Sequence, residues 1–197
     1  MMAMLLPDMR SLCIAPALMN QDQLSAKPPE QRTIVLVGLM GVGKSTVGRR
    51  LAARLGLPFV DADKEIEDAA GLTIPEIFER FGEDAFRDGE RRVIQRLLDG
   101  TPRVIATGGG AFMNDETRAL ILEKATAVWL DADIDTLVQR VGRRDGRPLL
   151  KDKDPQDVLT ELARVRNPIY AQAPIRVKSR PLPHEATVDA ILKALQA

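Results

Sequence analysis

The chain has 197 residues, enough for one domain with a sizeable core. Lys and Arg number 28 and Asp and Glu number 28, so no overall charge draws it to nucleic acid or an anionic membrane. A single cysteine, Cys13, and a single histidine, His184, exclude a disulfide framework within the chain and a zinc ligand set built from cysteines and histidines.

In chain order, Met1 to Leu18 is apolar but broken by Pro7, Asp8, Arg10 and Pro16. It is too interrupted for a signal-peptide core and too short for a membrane span. Residues 20–32 are polar, with Pro28-Pro29, so 1–30 reads as a disordered tail, with Met19 an alternative start, and 31–197 as the domain. Thr33 to Val37 is a buried strand, and Lys44 to Leu55 a helix with Val47, Leu51, Ala52 and Leu55 on one face. Leu57 to Val60 is a short strand ending at Asp61-Ala62-Asp63. Helical patterns follow over Lys64–Ala70, Ile74–Arg80 and Asp84–Leu98. Val104 to Ala106 is a strand running into Thr107-Gly108-Gly109-Gly110. Helix Glu116–Lys124, strand Ala127–Leu130 and helix Ile134–Val141 come next. Gly142 to Pro155 is polar and aperiodic, the pattern of a mobile loop. Helix Val158–Val165, strand Ile175–Val177 and helix Ala186–Leu195 close the chain. Strands alternating with helices predict an α/β fold: a five-stranded parallel sheet with helices on both faces and ligands beyond the strands' carboxyl ends.

The most informative stretch is Gly38-Leu39-Met40-Gly41-Val42-Gly43-Lys44-Ser45, which fits G-x-x-x-x-G-K-[ST] between a strand and a helix. At such a turn, backbone N–H groups and the helix N-terminus face a phosphate. Lys44 would neutralise the β- and γ-phosphates, and the Ser45 hydroxyl would be a ligand for Mg²⁺. A glycine turn that merely lets strand and helix pack is the bland alternative, and the flanking elements argue against it. Asp61 and Asp63 stand one residue apart at a strand end, and if strand geometry persists they point to opposite sides. Helix capping by Asp63 is the rival to a chemical role. The run Gly108-Gly109-Gly110, also after a strand, permits close backbone approach by a ligand.

From Gln31 onward the chain resembles the shikimate kinase family. The resemblance rests on Gly38 to Thr46, Asp61-Ala62-Asp63, Ala85-Phe86-Arg87, Thr107 to Gly110, Arg147-Pro148-Leu149-Leu150 and Arg164 to Tyr170. It implies ATP-dependent phosphorylation of the 3-hydroxyl of shikimate, on the route to chorismate and the aromatic amino acids. It further implies a P-loop kinase fold with a lid over about 142–155, in a cytoplasmic monomer without nucleic-acid or membrane partners. By the same resemblance Gly41, Val42, Gly43, Lys44, Ser45 and Thr46 hold ATP, and Asp61 holds a water on Mg²⁺. Asp63 hydrogen-bonds the reacting hydroxyl and takes its proton. Arg87 and Arg166 bind the shikimate carboxylate, with Gly108, Gly109 and Gly110 beside it. Arg147 is the lid arginine on the transferring phosphoryl group, and Arg180 lies near the adenine. Arg91, Arg92, Arg96 and Arg118 read as surface charges, Trp129 and Tyr170 as packing residues, and Cys13 and His184 carry no assigned role. The competing readings are a gluconate kinase-like enzyme, a nucleotide-dependent switch and a silent binding module. The guanine-reading N-K-x-D and the L-S-G-G-Q signatures are both absent.

Overall fold

The computed structural model describes residues 28–142, 154–179 and 183–196. Its strands are β1 (Ile34–Val37), β2 (Phe59–Asp61), β3 (Val104–Ala106), β4 (Thr126–Asp131) and β5 (Ile175–Lys178). They form one five-stranded parallel sheet in the order β2-β3-β1-β4-β5. All four residues of β1 are buried, as a strand covered on both faces requires. Its register pairs Ile34 with Val104 on one side and with Thr126 on the other.

Seven helices are described: α1 (Lys44–Leu55), α2 (Ala62–Ala70), α3 (Ile74–Leu97), α4 (Asp115–Lys124), α5 (Ile134–Val141), α6 (Pro155–Tyr170) and α7 (His184–Leu195). Val47, Leu51 and Ala52 of α1 are buried, as their spacing predicts. A capping box starts α3, in which Thr73 accepts from the Glu76 N–H and Glu76 accepts from the Thr73 N–H. Asn114 and Asp154 cap α4 and α6.

Several expected boundaries shift. The helices expected over 74–80 and 84–98 are assigned as one element with a break at Gly82 (φ 78°, ψ 179°), a conformation open to glycine. Helix α6 begins at Pro155, suited to the first helical turn, and runs through Pro168 to Tyr170, past its expected end at Val165. Helix α2 begins at Ala62, so strand geometry does not persist from Asp61 to Asp63. At the end of the expected tail, Pro29–Gln31 forms a 3₁₀ turn; residues 1–27, including Met19 and Cys13, and residues 143–153 of the expected lid lie outside the described residues.

The topology sets the site. Gly38, Asp61, Thr107 and Ser179 all follow or end parallel strands at the sheet's carboxyl edge. β1, in the middle, delivers its loop between those after β3 and β4.

Candidate active site

The turn after β1 is shaped by glycine. Gly38, Gly41 and Gly43 have φ of 135°, 81° and 100°, which L side chains rarely adopt. A Cβ on Gly38 would also lie 2.4 Å from the Leu130 carbonyl oxygen, so β4 packs directly on the loop. Gly43 is the N-cap of α1, and no side chain caps that helix. Its first turn therefore presents backbone N–H groups and the positive end of the helix dipole at the sheet edge. The Lys44 ammonium is drawn back over the loop, donating to the Gly38 and Leu39 carbonyls at 2.7 and 3.0 Å. Ser45 Oγ donates to Asp61 Oδ2 at 2.7 Å, joining α1 to the end of β2.

Asp63, in the first turn of α2, faces the opposite bank. Its Oδ1 lies 2.7 Å from where a Cβ on Gly108 would stand, and Glu90 Oε1 lies 3.0 Å from the same point. Only glycine lets both carboxylates close on this backbone. Burial, reinforced by the Asp61 charge, raises the Asp63 pKa, while Lys44 and Arg87 oppose the shift. Asp63 thus feels one cation from the glycine loop and another from α3.

Arg87 is half-buried and held by two carboxylates of its own helix, Glu90 at 2.7 Å and Glu83 at 3.1 Å. Burial works against the guanidinium's charge, but these partners raise its pKa. Its guanidinium lies 2.5–2.7 Å from where a Cβ on Gly110 would stand, so a side chain there would displace it. From α6, Arg166 donates to the Gly109 carbonyl at 3.2 Å, and the Tyr170 hydroxyl donates to the same oxygen at 2.5 Å. Two arginines from distant parts of the chain therefore bracket the triple-glycine loop, as a forked carboxylate would require.

A family model described as shikimate kinase matches residues 40–196. The chain belongs to the shikimate kinase family. A shikimate kinase of Caulobacter vibrioides is 64% identical over 169 residues, covering 86% of this chain and 84% of that relative. The solved structure of the Acinetobacter baumannii shikimate kinase in complex with shikimate has a TM-score of 0.80 at 38% identity, covering 83% of this chain and 92% of that one. A gluconokinase from Sinorhizobium meliloti has a TM-score of 0.57 at 20% identity, covering 84% of this chain and 91% of that one, and that likeness shows the shared fold alone. As a shikimate kinase family member the protein is a kinase with ATP as co-substrate.

The kinase's expected residues Gly41 to Thr46, Asp61, Asp63, Arg87, Gly108, Gly109, Gly110 and Arg166 stand at one edge of the sheet. Arg147 and Arg180 lie outside the described residues. Trp129 and Tyr170 are buried, as packing residues should be, and burial pushes the tyrosine hydroxyl up to about 12. Arg118 corrects the surface reading. Its side chain is 15% exposed and donates to the Phe112 and Met113 carbonyls, tying the segment after the glycines to α4.

The sequence reading missed Glu90 and Arg140. Glu90 is 2% exposed, and burial raises its pKa against the pull of Arg87. It sits among Phe86, Val93, Ile94 and Leu97 on the buried face of α3. An acid inside an apolar helical stripe, three residues after an arginine, was the available signal. Arg140, on α5, donates to the Val42 carbonyl and to Ser179 Oγ, each at 3.1 Å. His184 also comes close: a Cβ on Gly43 would lie 3.7 Å from its Cε1. Burial, then Arg50 and Arg140, lowers the His184 pKa.

Proposed function

We propose that this protein transfers the γ-phosphoryl group of ATP to the 3-hydroxyl of shikimate at the crevice between the glycine loop and the Gly108–Gly110 loop, giving shikimate 3-phosphate and ADP. The observation that carries the reading is the place of Asp63, whose Oδ1 closes on the Gly108 backbone beside Glu90 at the sheet's carboxyl edge, with Lys44 and Arg87 both opposing its raised pKa. Phosphoryl transfer depends on positioning and charge neutralisation more than on covalent help. The first-turn N–H groups of α1 and Lys44 hold the β- and γ-phosphates. Arg87 and Arg166 hold the substrate carboxylate, with Glu90 and Gly110 fixing the angle of Arg87. Asp63 accepts the hydrogen bond of the attacking hydroxyl and takes its proton; its raised pKa makes it a better acceptor than an exposed aspartate. Arg147 closes over the transferring group, and Arg180 borders the base.

The donor set at the loop fits Mg²⁺. Ser45 Oγ and Asp61 Oδ2, 2.7 Å apart, are hard oxygen donors of the kind this ion takes beside phosphate and water. Among the described residues no group of three or more His, Cys, Asp or Glu could hold a metal ion alone, which suits an ion shared with nucleotide phosphates. Ser45 would be its ligand and Asp61 would hold one of its waters, and the ion would offset phosphate charge.

Among the described residues no helix is long and apolar enough to cross a membrane. A cytoplasmic monomer acting on small molecules is what the family resemblance implies, and the equal numbers of basic and acidic residues give no general pull toward nucleic acid. A coupled ADP-release assay with Mg-ATP tests the substrate: shikimate drives release and gluconate does not. Comparable release with gluconate would overturn the assignment. Titrating Mg²⁺ and shikimate against two variants tests the division of roles. Asp63→Asn loses rate and shikimate affinity together, whereas Asp61→Asn shifts the Mg²⁺ requirement. Indistinguishable profiles would show the division to be wrong.

A further inference from the structure

Ser179 lies immediately beyond β5, far in sequence from the glycine loop, and is 1% exposed. Its N–H donates to the Asp131 carbonyl at 2.6 Å, so its backbone is fixed to the end of β4. Its hydroxyl stands 3.1 Å from Arg140 Nη1 and 3.3 Å from the Val42 carbonyl oxygen. A guanidinium only donates, so Ser179 Oγ accepts from Arg140 and its own proton goes to Val42. Arg140 Nη1 donates to the same carbonyl at 3.1 Å. One backbone oxygen of the glycine loop is therefore gripped by two side chains anchored on β5 and α5.

That oxygen belongs to the peptide joining Val42 to Gly43, and Gly43, on its amide side, has a φ of 100°. Such a peptide turns more easily than one between two L side chains, because glycine populates several backbone regions at little cost. The unit is planar and trans, so fixing its C=O fixes its N–H in the opposite direction. The Gly43 N–H stands at the N-cap of α1, where an anion's oxygens are received.

We infer that Ser179 is a positioning residue for nucleotide binding: by holding the Val42 carbonyl together with Arg140, it aims the Gly43 N–H at the phosphates before ATP arrives. The inference rests on the glycine loop being the phosphate site. It makes the far end of the sheet, past β5, part of the phosphate-binding device, although Ser179 itself touches no phosphate.

The test is ADP and shikimate binding by calorimetry, with steady-state kinetics, on Ser179→Ala, Ser179→Thr and Lys44→Met. Loss of one preorganising hydrogen bond weakens ADP binding and raises the ATP KM about five- to tenfold in Ser179→Ala. Its kcat and shikimate affinity stay within about twofold of the parent, a split that a general loss of structure would not give. Ser179→Thr, which keeps the hydroxyl, restores ADP affinity. Parent-like ADP binding in Ser179→Ala overturns the inference, as does a Thr variant as weak as Ala or an equal loss of ADP and shikimate. If Lys44→Met leaves ADP binding unchanged, the phosphate site itself is misplaced and the inference falls with it. A weakened Lys44→Met beside an unaffected Ser179→Ala removes only the role of Ser179.

Discussion

The two banks of the proposed site, one for phosphate and one for the acceptor, are built by different means. On the phosphate bank the working groups are backbone N–H groups and one lysine, all within Gly38–Ser45, held in shape by positive-φ glycines and the packing of Leu130. On the acceptor bank they are side chains: Arg87 from α3, Arg166 from α6 and Asp63 from α2, meeting over a glycine loop that follows β3. The phosphate bank is local in sequence, and the acceptor bank exists only after the chain has folded. A phosphate is common to many substrates and can be met by a helix terminus, whereas a particular hydroxy acid needs side chains set at particular angles.

If the banks are separable, damage to one should spare the other. The largest effect is expected for Lys44→Met, whose kinase activity should fall on the order of 10³-fold or more, the scale for removing a cation from a transferring phosphoryl group. Its circular dichroism and shikimate affinity should stay near those of the parent. Next come Arg87→Ala and Arg166→Ala. Each should weaken shikimate binding on the order of 2–5 kcal/mol, the cost of leaving a buried carboxylate without its partner, with ADP binding unchanged in the same calorimeter.

A sharper version concerns Glu90. Glu90→Gln keeps the size and removes the charge that sets Arg87, so the KM for shikimate should rise about three- to tenfold with the KM for ATP unaltered. An equal rise in both would show that Glu90 supports the fold and not the acceptor bank.

The smallest effect is on stability. The folded-state pKa of Asp63 is raised by burial and by Asp61, so its ionised form is penalised in the native state. The native state therefore binds the proton more tightly than the unfolded chain, and stability falls as pH rises from the ordinary aspartate range through the raised value. Asp63→Asn should melt a few degrees higher at neutral pH, on the order of 2–4 °C, and the gain should vanish at acid pH where both states are protonated. Thermal melts across pH check the sign; a variant less stable at neutral pH would contradict it.

What the sequence revealed follows the same division. The order and type of the main elements were legible because apolar periodicity is local, and Lys44–Leu55, Val104–Ala106 and Ile134–Val141 have the expected bounds. The phosphate bank was legible because its motif is contiguous. Arg87 and Arg166 could be chosen from among similar surface arginines only through resemblance, because nothing local distinguishes Arg87 from Arg91 or Arg92. What sets Arg87 apart in the fold is its ion pair with the buried Glu90 three residues on and the Gly110 backbone packed against its guanidinium, and the second of these is a non-local contact. The different directions of Asp61 and Asp63 were expected from strand alternation, yet α2 starts between them at Ala62. Arg118 reads as a surface charge and Arg140 goes unmarked because a long cation bound to backbone carbonyls has the same sequence signature as one in solvent.

The central claim, that the banks are independent and that Arg87 serves shikimate while Lys44 serves ATP, is tested most directly by one set of calorimetric titrations. ADP and shikimate would each be titrated into the parent, Lys44→Met and Arg87→Ala proteins. The account predicts a crossed pattern: Lys44→Met loses ADP affinity and keeps shikimate, while Arg87→Ala loses shikimate affinity and keeps ADP. Arg87→Ala losing ADP while still binding shikimate like the parent would contradict it.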